Sequence, residues 1–186
     1  MDRASGYGPE GCGVQILPGV HMSIENQLGA VSHEDWMRRA LSVASKGMRE
    51  DEVPIGAIIV YKGKIIGQGY NQCESLNDST AHAEMLAITA ASNTIGDWRL
   101  SDCSLYVTKE PCSMCAGAII NSRIDALYFG CYDEDFGACG SKLDICGNPT
   151  FKTPSVVRGN VLGGDSLVLI QEYFFKKRKK SKDLEL

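Results

Sequence analysis

Apolar residues first recur with helical spacing after residue 32. Five of them, at intervals of three and four, share one face of a predicted helix: Met37, Ala40, Leu41, Ala44 and Met48. Ser32 and Asp35 precede this stripe three residues apart and form a candidate capping box. Residues 1–31 are glycine-rich and lack such periodicity, so we predict a flexible leader without a catalytic role.

Two short apolar runs follow and predict a β-hairpin. They are IGAIIVY at 55–61 and KIIGQG at 64–69, and they flank Lys62-Gly63, a pair typical of a tight turn. The first run is apolar nearly throughout, as expected for a strand that is covered on both faces.

The remaining pattern alternates helices and strands. Strands are predicted at 104–108 and 126–130, and helices from about His82 to Ala91, from near Cys112 and from near Asp165. Residues 131–164 are turn-rich. The strand–helix–strand spacing favours a parallel pair with a right-handed crossover. The sequence therefore predicts an α/β domain in which helices cover a mixed sheet.

Length and composition place limits on this domain. A chain of 186 residues is long enough for one domain that buries most of its apolar surface, and 44% of its residues are hydrophobic. No apolar run approaches the roughly 20 residues that cross a bilayer, and no secretory signal pattern is present. We therefore expect a cytoplasmic protein without a membrane partner. Its predicted organisation is a leader at 1–31, a domain at 32–175 and a basic tail at 176–186.

The charge is unevenly distributed along the chain. The net charge is −4, yet the tract KKRKKSK at 176–182 holds six of the 19 basic residues. Residues 1–175 contain 13 basic and 21 acidic side chains, so an acidic body ends in a basic tail. Such a tract either contacts phosphates or forms a solvated, disordered end, and charge alone does not decide between them.

Two short motifs carry the chemistry. His82-Ala83-Glu84 and Pro111-Cys112-Ser113-Met114-Cys115 each fall at a predicted helix start. Zinc prefers nitrogen and thiolate ligands, and a catalytic site leaves one tetrahedral vertex for water. Cys112 and Cys115 share a face on the first turn of a helix, whose positive end favours thiolates. With His82 as the third ligand, Glu84 is close enough to exchange protons with that water.

Three other interpretations of these motifs are open. A Cys-x-x-Cys pair in an α/β protein can be a redox pair, and His82 can be a core histidine beside unrelated cysteines. A closed structural zinc site would take a fourth ligand from Cys131, Cys139 or Cys146. The order and spacing of both motifs favour the catalytic interpretation, because a closed site leaves Glu84 without a purpose.

The order H-x-E…P-C-x-x-C is the signature of zinc-dependent nucleobase deaminases. Further segments extend the likeness from about Ser32 to Lys182: EVPIGAIIV, GYNQ, TAHAEMLAI, LYVTKEPCSMCAGAI, FGCYDEDFGACGS and EYFFKKRKK. The chain resembles the cytidine deaminase-like superfamily and, within it, the tRNA-specific adenosine deaminases that make inosine at the wobble position. This resemblance implies a mixed five-stranded sheet flanked by helices, one Zn²⁺ per subunit and hydrolytic deamination.

The resemblance also implies substrate contacts. It assigns Asn71 of GYNQ to the target base and Asp133 to the ribose just 5′ of it, where a 2′-hydroxyl distinguishes RNA from DNA. The residues alone also allow structural roles, with Asn71 holding a loop and Asp133 shaping a turn. Five basic residues match the terminal helix that touches the tRNA anticodon arm: Lys176, Lys177, Arg178, Lys179 and Lys180.

The sequence departs from the bacterial pattern in places. Lys109 stands where bacterial members usually carry an apolar residue. The stretches 130–131 and 136–140 resemble the catalytic subunit of the eukaryotic enzyme, which works with an inactive homologous partner. By the resemblance, a dimer interface completes the active site. We expect a homodimer of the bacterial type, with that heterodimer as the alternative.

Two other functions compete with the tRNA reaction. One is deamination of a free base or nucleoside such as guanine, cytosine or cytidine. The basic tail and Asp133 favour a polynucleotide, because a free base needs neither. The other is a catalytically silent, zinc-bearing RNA-binding subunit, which by the resemblance would lack Glu84.

Overall fold

A single mixed sheet of five strands organises residues 31–183, the part of the chain that the computed structural model describes. The strands lie in the order β2-β1-β3-β4-β5, where β1 is Gly56–Tyr61, β2 is Lys64–Tyr70, β3 is Cys103–Lys109, β4 is Ala126–Cys131 and β5 is Val156–Arg158. The predicted five-stranded α/β fold is confirmed. The predicted leader, apart from residue 31, lies outside the described residues.

Strand pairing follows the sequence pattern closely. β1 pairs antiparallel with both β2 and β3, whereas β3–β4 and β4–β5 are parallel pairs. The predicted hairpin turns at Lys62 and Gly63, whose φ angles of 48° and 71° suit a tight turn of right-handed twist. The predicted strand–helix–strand crossover joins β3 to β4.

Helices cover both faces of the sheet. Their bounds are α1 His33–Arg49, α2 Cys73–Leu76, α3 Ala83–Ile95, α4 Ser113–Asn121 and α5 Gly163–Asp183. α3 and α4 pack on one face, and α1 and α5 lie on the other. The capping box of Ser32 and Asp35 is present at the start of α1. Among the described residues, no helix is long and apolar enough to cross a membrane.

The structure adds detail that the sequence pattern did not predict. The turn-rich stretch 131–164 contains the strand β5. This strand has only three residues and no fully buried position, so it is too short to show an alternation of apolar and polar residues. The four-residue helix α2 was also not predicted. α5 continues without a break to Asp183, so the basic tract forms the last turns of a helix instead of a disordered end. The domain boundary at 175 stays a prediction.

Close contact between β2 and α3 positions the first of the two motifs. A Cβ atom added at Gly69 would lie 2.6 Å from the Ala83 carbonyl oxygen, and one at Gly67 would lie 2.4 Å from the Ala87 carbonyl oxygen. The strand therefore has glycine where the helix backbone approaches it. The start of α3, with His82 directly before it, is fixed by this contact.

We expect Gly69→Ala to destabilise the fold by about 1–3 kcal/mol, because the added methyl group overpacks the β2–α3 contact. Gly117→Ala is the matched control, since a Cβ atom there meets no atom within 4 Å and alanine favours the helix α4. Urea unfolding of both variants measures the difference. Equal stability of the Gly69 variant and the wild type would contradict the tight contact.

Candidate active site

The two motifs meet at the carboxyl ends of the central strands. β3 and β4 are parallel, so their carboxyl ends lie side by side, and α4 begins directly after β3. A cavity of about 350 Å³ opens at these strand ends. Five side chains that the sequence predicted for the site line it: Asn71, His82, Glu84, Cys112 and Asp133.

Three side chains form a metal-binding triad beside this cavity. The Nδ1 atom of His82 lies 3.6 Å from the Cys112 Sγ and 3.5 Å from the Cys115 Sγ. Zinc–nitrogen and zinc–sulfur bonds of about 2.0–2.1 and 2.3 Å at a tetrahedral angle place such ligand atoms about 3.6 Å apart. The donor atoms and their separations therefore fit a tetrahedral zinc ion. All three ligand atoms lie within 4.8 Å of one another.

Local backbone geometry brings the triad together. His82 and Cys112 both occupy the N-cap position of a helix, with extended backbone at φ −72° and −73°. Cys115 follows one turn into α4 and is fully buried. Two helix N-termini therefore point their positive ends at the same place, which favours thiolate and carboxylate groups there.

A hydrogen bond links the thiol of Cys115 to the sulfur atom of Cys112. A hydrogen bond from the Cys115 thiol stabilises the Cys112 thiolate and, against the effect of burial, lowers the pKa of Cys112 to about 3. The same hydrogen bond, together with burial, raises the pKa of Cys115. A cation that binds both sulfur atoms takes the place of the proton in this hydrogen bond, so metal binding releases it.

Glu84 lies beside the triad without belonging to it. It is in the first turn of α3 and only 4% of its surface is exposed. Burial raises the pKa of its carboxyl group above the usual range. A buried carboxyl group with a raised pKa can both accept and return a proton near neutral pH, as general acid–base catalysis requires.

Asn71 is held by a residue that sequence analysis did not identify. Its Nδ2 donates to the Oε2 of Glu52 at 3.0 Å, and Glu52 is fully buried before β1. Glu52 also accepts the backbone N–H of Ser75 at 2.7 Å. Burial alone would raise the pKa of Glu52, but these hydrogen bonds outweigh it and lower that pKa. Glu52 thus fixes the orientation of the Asn71 amide at the cavity wall.

Glu110 has a similar role for the loop that carries Asp133. It is 3% exposed and accepts backbone N–H groups from Asp133, Cys139 and Ser141, each at 3.0 Å. The Asp133 carboxylate is paired on both oxygen atoms. Its Oδ2 lies 2.7 Å from the Lys109 Nζ, and its Oδ1 accepts the N–H of Asp135 at 3.2 Å. Glu110 directly precedes the second motif, but the sequence gave no sign of these partners.

The other cysteines do not complete a closed metal site in the described part of the chain. The Cys139 thiol donates to Cys146, with 3.1 Å between the sulfur atoms, and the Cys131 thiol contacts the Thr108 carbonyl. Over residues 31–183, the cluster of candidate ligands contains only His82, Cys112 and Cys115. The fourth ligand of a structural site is therefore missing there, and the interpretation with an open vertex is favoured.

The basic residues of α5 lie away from this cavity. Tyr173 anchors the helix, because its hydroxyl donates to the Asp51 carbonyl at 2.9 Å and accepts from the Lys177 Nζ at 2.9 Å. Lys176 pairs with Glu172 at 2.6 Å. None of the five predicted RNA-binding residues, 176–180, lines the active-site cavity.

Comparison with known proteins gives consistent relatives. The family that matches residues 31–179 is described as MafB19-like deaminase. A tRNA-specific adenosine deaminase of Bacillus subtilis is 39% identical over 149 residues, which are 80% of this chain and 92% of that protein. The chloroplastic tRNA(adenine(34)) deaminase of Arabidopsis thaliana is 50% identical over 112 residues, but the chain spans only 9% of its length.

Solved structures share the fold. One, from work on A-to-I editing by tRNA:A34 deaminases at the wobble position of transfer RNA, has a TM-score of 0.68 and 41% identity. It is matched over 72% of this chain and 96% of its own. The guanine deaminase of Bacillus subtilis is 40% identical, with a TM-score of 0.53, over 56% of this chain and 67% of its own.

Proposed function

The chain belongs to the MafB19-like deaminase family, with tRNA-specific adenosine deaminases among its near full-length relatives, and we propose that it converts adenosine 34 of tRNA into inosine. The reaction takes up water and releases ammonia. The observation that carries this proposal is the triad of His82, Cys112 and Cys115 directly beside the buried carboxyl group of Glu84. A three-ligand site with a carboxyl group held next to it fits hydrolytic deamination by a metal-activated water.

The proposed cofactor is one Zn²⁺ per chain, held by His82 Nδ1 and the two sulfur atoms. Zinc bound there supplies a water acidic enough to act as a nucleophile near neutral pH. Glu84 accepts the proton of this water on its carboxylate. Glu84 would deliver this proton to the adenine ring nitrogen. It would then take the second proton, from the hydroxyl group added to the base, and pass it to the amine, which leaves as ammonia.

Two further residues position the substrate in this proposal. The Asn71 side chain, oriented by Glu52, hydrogen-bonds the base at the cavity wall. Asp133, held in its loop by Glu110, contacts the ribose just 5′ of the target. Because the triad lies at the wall of a cavity, the target nucleotide must leave its stack to reach it, as in other deaminases of polynucleotides.

We propose that the end of α5 binds the phosphates of the anticodon arm outside the cavity. Arg178, Lys179 and Lys180 are exposed on a helix that Tyr173 fixes to the body. The rest of the chain has more acidic than basic residues, so this helix is its main source of attraction for a polyanion.

Replacing Arg178, Lys179 and Lys180 together by Gln is expected to weaken anticodon stem–loop binding and to reduce its salt dependence. Each lost phosphate contact lowers the slope of log affinity against log salt by about 0.7 to 0.9. Fluorescence anisotropy across a salt series measures the slope. Lys62, Lys64 and Lys152, also exposed, provide a control triple Gln variant of equal charge. An unchanged slope in the α5 variant would remove the helix from the RNA interface.

A second candidate is deamination of free guanine, because a guanine deaminase shares 40% identity with this chain. That structure is matched over 67% of its length, against 96% for the structure from the A-to-I editing work. Its TM-score is also lower, at 0.53 against 0.68. The tRNA reaction is therefore favoured.

One assay separates the two candidates. The zinc-loaded chain is incubated with an anticodon stem–loop that contains adenosine 34, with free adenosine and with free guanine. Inosine in the stem–loop is the expected product, read by nucleoside analysis after digestion. Xanthine from guanine without inosine in the stem–loop would overturn the proposal in favour of the second candidate.

We further propose that the chain acts as a homodimer in the cytoplasm, where cysteine ligands stay reduced. Phe136 supports a partner at the active site, because it lines the cavity while 72% of its surface is exposed. Analytical ultracentrifugation of the purified chain tests this. A monomer that gains activity only with a homologous subunit would indicate the heterodimer instead.

A further inference from the structure

Lys109 is the one lysine or arginine among the side chains that line the active-site cavity in the described part of the chain. It is the last residue of β3, two positions before Pro111 of the second motif. Three acidic residues line the same cavity: Glu84, Glu110 and Asp133. The phosphates of a polynucleotide bound in this cavity would therefore lie near three acidic side chains and one ammonium group.

The ion pair of Lys109 with Asp133 leaves part of the ammonium group available. A lysine ammonium carries three N–H donors, and Asp133 is its only salt-bridge partner within residues 31–183. The Lys109 side chain is 28% exposed, whereas that of Asp133 is 11% exposed. A partly exposed ammonium group in the cavity lining can thus keep its bond to Asp133 and donate to a second acceptor.

A purely structural role accounts poorly for this lysine. The pair compensates the charge of Asp133, which is only 11% exposed, but the partly exposed ammonium group of Lys109 has further donors. The Asp133 loop is already held by Glu110, which accepts the Asp133 backbone N–H, and by the Asp135 N–H on the Asp133 carboxylate. The loop thus has other bonds that hold its shape, and a cation in the lining of an acidic cavity is suited to an anionic ligand.

We propose that Lys109 is a substrate-binding residue whose ammonium group binds a backbone phosphate of the RNA next to the target nucleotide. This inference rests on the proposed function, and it adds a phosphate contact inside the active-site cavity to those proposed for α5. Lys109 bridges this phosphate and Asp133, which places the phosphate beside the carboxylate assigned to the neighbouring ribose. The contact distinguishes a polynucleotide from a free base or nucleoside.

The test compares three variants of the zinc-loaded chain on an anticodon stem–loop: Lys109→Met, Lys109→Arg and Lys64→Met. Lys64 is the control, since the pairing of β1 with β2 and β3 places it at the opposite end of the sheet. We expect Lys109→Met to raise KM about tenfold while kcat stays within about threefold. The slope of log affinity against log salt should fall by about 0.7, the loss of one phosphate contact to a single strand.

Lys109→Arg should restore both the wild-type KM and most of the slope, because it keeps the positive charge. Lys64→Met should change neither value. The salt slope is the decisive readout, because a lysine that only holds Asp133 would not alter it. The double variant Asp133→Asn/Lys109→Met should have a lower salt slope than the Asp133→Asn variant alone, since the phosphate contact does not require the carboxylate.

An unchanged salt slope in Lys109→Met would overturn the inference. So would a loss of kcat or of zinc at an unchanged KM, which would indicate a role in the metal site. Either outcome leaves the proposed function intact if the wild-type chain still forms inosine. Failure of the wild type to form inosine in the stem–loop would instead contradict the proposed function.

Discussion

Glu84→Gln is expected to lower the rate of inosine formation in an anticodon stem–loop by a factor of about 100 to 10,000. This is the usual contribution of a general acid–base group. The upper end is expected, because one carboxyl group serves several proton transfers in the proposed reaction. Gln keeps the shape of the buried side chain but cannot exchange protons. Single-turnover rates with enzyme in excess measure the chemical step directly.

Zinc content decides what such a loss means. Glu84 is not a member of the triad, so the variant should bind as much zinc as the wild type and unfold at a similar temperature. Glu34→Gln, at an exposed position in the first turn of α1, is the control for loss of one carboxylate. Near wild-type turnover in the Glu84 variant would remove this residue from the mechanism.

The second large effect is expected for Cys115→Ala, which should abolish both zinc binding and turnover. Cys115 is fully buried and supplies one of the three ligands. Without it, only His82 and Cys112 remain, and two ligands are too few to hold the ion. For the wild type, zinc at 100 times its Kd adds about 2.7 kcal/mol to the free energy of unfolding. The variant should gain none of this stabilisation, because no site forms on folding.

Cys103→Ala separates the loss of a ligand from the loss of a buried sulfur atom. Cys103 is also fully buried, on β3, but lies outside the triad. Its alanine variant should lose some stability to the cavity that it creates, while it keeps stoichiometric zinc and activity. Metal analysis and thermal unfolding with and without added zinc compare the two variants. Full zinc content in Cys115→Ala would contradict the assignment of this ligand.

The metal-binding triad could be predicted because its geometry is encoded locally. A Cys-x-x-Cys spacing at a helix start fixes two ligand atoms by the helix repeat alone. His82 and Glu84 lie at the start of a second helix, and only the packing of the two helices remained to be inferred. The hairpin and the capping box were predictable for the same reason, since each depends on residues a few positions apart.

The residues that orient the site could not be predicted, because their partners are distant in sequence. Glu52 lies among other acidic residues at 50–52, and nothing in the sequence distinguishes it from its neighbours. Only the folded chain shows that it is buried against Asn71, 19 positions away. The pairing of Lys109 with Asp133 likewise depends on the register of the parallel strands β3 and β4.

The positions of the ligands within the sheet have a consequence for how the metal enters and leaves. His82 precedes α3, which packs against β2 at the edge of the sheet, whereas Cys112 and Cys115 follow β3, which has neighbours on both sides. Local opening costs less free energy outside the core strands than within them. We therefore expect the histidine to be the ligand that would detach first, while the two cysteine sulfur atoms would keep hold of a bound ion. Loading would follow the reverse order, with capture by the cysteine pair and closure by the histidine, so amide hydrogen exchange should slow most in α3 when zinc is added.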